Sequence, residues 1–152
     1  MKNPEWTPIP TNQEQSMYIF TKNGEWIGGM RQGYGEMKWP NGSYYIGNWA
    51  HNYAHGKGEF HHPDGDIFNG EWVCNRASGN GKYTKTDGGF YEGGWLCDEY
   101  NGYGKEIFSD KSSYEGQFVK GKKNNYGVFI RRDGMCYKGN WEESKMSGKV
   151  IP

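Results

Sequence analysis

Large rings, glycines and polar residues follow one another along the chain in short alternating runs. In Tyr91-Glu92-Gly93-Gly94-Trp95 the first ring, the middle glycine and the second ring occupy every second position. Successive strand side chains point to opposite faces, so these three share one face and the polar residues take the other. The phrase occurs again at Tyr45-Ile46-Gly47-Asn48-Trp49, Phe68-Asn69-Gly70-Glu71-Trp72, Tyr114-Glu115-Gly116-Gln117-Phe118 and Tyr137-Lys138-Gly139-Asn140-Trp141. Its opening ring stands at 45, 68, 91, 114 and 137, a constant interval of 23. A fixed period of this length means stacked units, each burying its apolar face against its neighbours.

Within each unit a loop of six residues follows the second ring. Then come Gly-x-Gly (Gly56-Lys57-Gly58, Gly79-Asn80-Gly81, Gly102-Tyr103-Gly104) and a second strand, such as Glu59-Phe60-His61-His62. That strand ends at Asn41-Gly42, Asp64-Gly65, Asp87-Gly88, Asp110-Lys111 or Asp133-Gly134. Asn-Gly and Asp-Gly predict two-residue type I′ hairpins, which need positive φ at both central positions. Three residues after each second ring stand Asn52, Asn75, Asp98 and Gly121, all types that tolerate the left-handed region. Trp26-Ile27-Gly28-Gly29-Met30 is a degenerate first copy, preceded by a predicted strand at Met17–Thr21. The expected organisation is a proline-containing tail over 1–16, a repeat domain over 17–148 and a short end over 149–152.

This grammar resembles the MORN repeat (membrane occupation and recognition nexus) over most of the chain. Five in-phase copies of the ring–glycine–ring phrase, with Gly-x-Gly and Asp-Gly also in phase, carry the resemblance. The departures are Lys111 for the turn glycine, Asn125 for the first loop glycine and Glu106 for a second-strand ring. The resemblance implies an all-β, single-layer solenoid of antiparallel hairpins, one long twisted sheet with a groove. Small stand-alone proteins of this kind resemble subunits of cilia and flagella, such as radial-spoke heads, other cytoskeletal components, and adaptors for myosin tails.

Composition agrees with a thin sheet. Aromatics are 17% of the chain, glycines number 25, and Leu96 is the sole leucine, so a core must be rings against glycine backbone. Eighteen basic and 18 acidic residues cancel, which argues against a nucleic-acid binder. No apolar run nears the roughly 20 residues of a transmembrane helix, and Met1–Pro10 does not read as a secretory signal. Cys74, Cys97 and Cys136 are odd in number, and the first two lie one repeat apart, roughly 9–10 Å in such a sheet. That exceeds the reach of a disulfide, so reduced thiols and a cytoplasmic setting are expected.

Candidate chemistry is sparse. His51 and His55 lie in a loop, and His61 and His62 point to opposite faces of a strand, so neither pair predicts a metal site. Gly-x-Gly lacks the Gly-Lys-Ser/Thr of a phosphate loop, and no nucleophile elbow or paired carboxylates predict catalysis. The expectation is a non-enzymatic adaptor without cofactor or metal. Its partner-binding groove would be walled by Tyr45, Trp49, Phe68, Trp72, Tyr91, Trp95, Tyr114 and Phe118, and would take a helix or extended segment of a partner protein. The same rings are also the natural core positions. Residues 111–152 hold nine basic and four acidic residues, a net charge of +5 against −5 before them. Lys120, Lys122, Lys123, Arg131 and Arg132 are therefore candidate contacts for an acidic protein or, as the alternative function, for acidic phospholipid on a membrane.

Overall fold

The computed structural model describes residues 25–27 and 30–147. The expected tail over 1–16, the strand at Met17–Thr21 and the end over 149–152 lie outside the described residues. Among the described residues twelve strands follow in order: β1 Glu25–Ile27, β2 Met30–Lys38, β3 Tyr44–Ala50, β4 Tyr53–His61, β5 Ile67–Val73, β6 Arg76–Thr84, β7 Phe90–Leu96, β8 Glu99–Ile107, β9 Ser113–Val119, β10 Lys122–Ile130, β11 Cys136–Glu142 and β12 Lys145–Ser147. Each pairs antiparallel with its sequence neighbours, so spatial order equals chain order in one open sheet. The expected all-β hairpin solenoid is the observed fold.

The register shows why the central glycine recurs. Gly35 faces Gly47, Gly47 faces Gly58, and the pairing continues through Gly70, Gly81, Gly93, Gly104, Gly116 and Gly127 to Gly139. A lane of bare backbone thus crosses the sheet from β2 to β11, and the rings lie down on it. A Cβ on Gly58 would stand 2.0 Å from Tyr45 Oη, and one on Gly47 would stand 2.4 Å from the Gly58 Cα.

The two kinds of turn exchange the roles expected of them. Positive φ at two successive residues occurs at His51-Asn52, Cys74-Asn75, Cys97-Asp98, Lys120-Gly121 and Glu143-Ser144, directly after the first strand of each hairpin. These are the tight two-residue reversals. The expected six-residue loop is such a turn followed by the start of a nine-residue strand. The Gly-x-Gly segment lies inside that strand, where the register slips between Gly47 and Trp49, Gly70 and Trp72, and Gly93 and Trp95. At Asn41-Gly42 and its equivalents only the second residue has positive φ. There Gly42 N–H donates to Trp39 O and Trp39 N–H to Ser43 O, a three-residue connection. Local dipeptide preference pointed to the wrong pair because Cys-Asn or His-Asn is held left-handed by a contact with the preceding repeat, which no local signal carries.

Candidate binding surface

The eight rings named from the sequence come together, but they form the core instead of the walls of an open groove. All eight are at most 3% exposed. Tyr45 meets Trp49 and Trp72 edge to face at 5.0 and 5.2 Å between centroids. Phe68 meets Trp72 and Trp95, Tyr91 meets Trp95 and Phe118, and Tyr114 meets Phe118 and Trp141 in the same way. The result is one zigzag of T-shaped contacts, each contributing about 0.5–1.5 kcal/mol beyond the area buried. Polar atoms of the rings are satisfied locally. Trp49, Trp72 and Trp95 donate Nε1–H to the carbonyls of Gly35, Gly58 and Gly81 at 3.1 Å. Tyr45, Tyr91 and Tyr114 donate their hydroxyls to the carbonyls of Asn48, Gly94 and Gln117. Burial raises the pKa of each of these tyrosines, to about 12 for Tyr114. The array closes on itself and has little left for a partner.

The five basic candidates are not one patch. Lys120 lies in the turn between β9 and β10 and Lys122 opens β10, while Arg131 and Arg132 follow its far end. Eight residue steps of strand put about 26 Å between the two groups. Lys123 leaves the surface altogether. It is 5% exposed, and its Nζ sits 5.3–5.9 Å from the ring centres of Tyr114, Trp141, Phe108 and Phe129. Burial lowers its pKa, an effect opposed by Glu106.

Lys123 belongs to a departure from the repeat that the sequence only hinted at. It occupies the position held by Ala54, Ala77 and Tyr100 in earlier repeats, and Glu106 occupies that of Phe60, Tyr83 and Phe129. Where the second-strand ring is missing, Tyr100 fills the space, stacked on Tyr91 at 3.7 Å and 5°. Glu106 is then 1% exposed, and neither of its oxygens has a hydrogen-bond partner. Burial pushes its carboxyl up to about 7, although Lys85 at 3.9 Å and, at longer range, Lys123 pull the other way.

The outer face is the accessible one, and it was not among the surfaces expected from the sequence. Among its exposed rings are Tyr34 at 54%, in Gly33-Tyr34-Gly35, and at the equivalent middle positions of Gly102-Tyr103-Gly104 and Asn125-Tyr126-Gly127 the pair Tyr103 and Tyr126, each 56% exposed. The signal was present in the change from Lys57 and Asn80 to two tyrosines at that position. Around them lies an open groove of about 610 Å³ floored by β9. Among the described residues no cluster of three or more His, Cys, Asp and Glu is placed to hold a metal, and no helix is long and apolar enough to cross a membrane. His55 Nδ1 accepts from Cys74 N–H and His61 pairs with Glu59 at 2.6 Å. All three cysteines are unbridged.

This geometry defines a class, an open single-sheet repeat protein whose core is one row of rings on glycine. The chain belongs to the MORN-repeat family, whose repeat matches residues 23–44, 45–67, 68–90, 91–113, 114–136 and 137–149. Membership makes it a repeat protein of the binding and scaffold type. Among solved structures it is similar to the TCP domain of SAS-4 (dCPAP) of Drosophila melanogaster, solved in complex with a proline-rich motif of Ana2 (dSTIL). The identity is 11% over 89% of this chain and 90% of that one, with a TM-score of 0.43. No curated protein matches the chain.

Proposed function

We propose that the chain is a non-enzymatic scaffold, an adaptor or structural subunit that holds a partner protein within a larger assembly. The single observation behind this reading is the division of labour between faces. One face is spent on a closed array of rings, while the other stays open and bears Tyr103, Tyr126 and Ile130 at 42–56% exposure. Exposed apolar groups collected in one place mark interaction surfaces. Cytoplasmic location and a cytoskeletal assembly, the cilium or flagellum axoneme above all, follow by likeness to small MORN proteins, and the unbridged thiols suit that compartment. The alternative, a tether to acidic phospholipid, loses support from the burial of Lys123 and the separation of the remaining basic residues.

The test is fractionation of cells that carry a tagged copy. After detergent extraction the protein is expected in the insoluble cytoskeleton, in fixed stoichiometry with a partner protein. Release by detergent, together with sedimentation on vesicles of acidic lipid that is lost in high salt, would replace this reading by the tether.

A further inference from the structure

Resting on the scaffold reading, the geometry points to the occupant of the outer groove. We infer that it is an extended segment of a partner protein in which apolar residues alternate with acidic ones, laid along β9 between Tyr103 and Tyr126.

The groove is specific to the last repeats. At the positions of Tyr126, Val128 and Ile130, the preceding hairpin carries Tyr103, Lys105 and Ile107, the one before it Asn80, Lys82 and Thr84, and the one before that Lys57, Glu59 and His61. Inner-face positions repeat because the ring array demands it. Outer-face positions are free to vary, and here alone three successive ones on one strand turn apolar. Tyr103 and Tyr126 stand on β8 and β10, so the groove between them is two strand spacings wide, roughly 10 Å. Its floor carries the outward side chains of Ser113, Glu115 and Gln117, and Tyr103 donates its hydroxyl to Glu115, which holds that carboxylate in place.

Length and charge select the occupant. The floor runs from Ser113 to Gln117, four steps or about 13 Å, which suits four or five residues of extended chain. In such a segment alternate side chains face down onto Tyr126, Val128 and Ile130, and the ones between face out. Lys105 and Lys138 rise on the two sides of the groove, about 14 Å apart across three strand spacings. Both are exposed, and neither forms an ion pair. Each has a flexible stem that can bring its ammonium to an outward carboxylate. The +5 charge of residues 111–152 adds attraction at longer range.

The probe is a fluorescein-labelled nonapeptide alternating leucine and glutamate, with a leucine–lysine counterpart and phosphatidylserine vesicles alongside, all against the full chain. Saturable anisotropy is expected for the leucine–glutamate peptide only, weakening as salt rises. Tyr103→Ala with Tyr126→Ala should weaken binding at least tenfold at unchanged melting temperature, since both rings are half exposed. Lys105→Glu with Lys138→Glu touches only exposed side chains. It should abolish binding of the glutamate peptide and create binding of the lysine peptide, which keeps the test decisive if the tyrosine variant misfolds. Equal binding of both peptides, binding unaffected by the charge reversal, or binding of vesicles alone overturns the proposal. The tyrosine variant is also carried through the cell fractionation. If it stays in the assembly at wild-type level, the outer groove is not the docking site and the scaffold reading stands. If the wild type joins no protein assembly, the scaffold reading itself fails.

Discussion

Asn75 and Ala54, 21 residues apart, are joined by a reciprocal pair of hydrogen bonds. Ala54 N–H donates to Asn75 Oδ1 at 2.7 Å, and Asn75 N–H donates to the Ala54 carbonyl at 2.9 Å. The same staple links Asn52 to Arg31, Asp98 to Ala77 and Ser144 to Lys123. Gly121 keeps only the backbone half, to Tyr100. One turn residue thus supplies both the left-handed conformation and the tie between repeats.

Replacing Asn75 separates the two contributions. Asn75→Gly keeps the φ of 69° accessible and loses the side-chain bond, leaving the buried Ala54 N–H unpaired, a cost of about 1–3 kcal/mol. Asn75→Ala loses the bond and strains the backbone as well, so it should be the worse of the two. Urea unfolding of the purified variants gives the order. An alanine variant as stable as the glycine one would remove the conformational half of the argument.

The glycine lane is the second target. A Cβ on Gly93 would lie 2.4 Å from the Gly104 Cα and 2.5 Å from the Tyr103 carbonyl oxygen, both backbone atoms. Neither can move without disturbing the pairing of β7 with β8. Overpacking of this kind costs about 1–3 kcal/mol, which for a domain of this size lowers Tm by roughly 3–10 °C. Gly134→Ala is the control for turn strain, because nothing lies within 4 Å of its Cβ and its φ is +90°. Calorimetry on the two variants is expected to show the larger loss for Gly93→Ala.

Glu106 makes stability depend on pH in a stated direction. Folded, its carboxyl holds the proton up to about 7, against 4.5 for the ordinary group. Between those values the folded chain binds more protons than the unfolded one, so this contribution is full below about 4.5 and is lost as pH rises through about 7. Asp98, raised to about 6 by burial, acts in the same direction. Glu106→Gln removes the ionisable group in place. It should therefore gain stability relative to wild type from pH 5 to pH 8. The gain is up to about 3 kcal/mol, because each tenfold difference in proton affinity between folded and unfolded chain is worth about 1.4 kcal/mol. Urea midpoints of both proteins at the two pH values measure this, and a constant difference would show that Glu106 does not titrate in that window.

What the sequence by itself determined is whatever repeats. The 23-residue interval, the strand pairs and the ring-bearing face were legible because every unit has to meet an identical neighbour, and a single misplaced ring or glycine would break the stack on both sides. The period also marked Asn52, Asn75, Asp98 and Gly121 as one backbone position. Tertiary structure alone decided which turns reverse tightly, since the left-handed pair is held by hydrogen bonds from the preceding repeat. It alone decided that the rings close on one another. Alternation tells which side chains share a face but not whether that face is filled, and T-shaped contacts across neighbouring repeats fill it. Burial of Lys123 followed the same logic: its charge reads as surface in one dimension, while four rings from different hairpins surround it in three. The outer groove escaped notice because Tyr103, Tyr126, Val128 and Ile130 break the pattern instead of forming it. They become neighbours only when antiparallel pairing brings β8 and β10 to either side of β9.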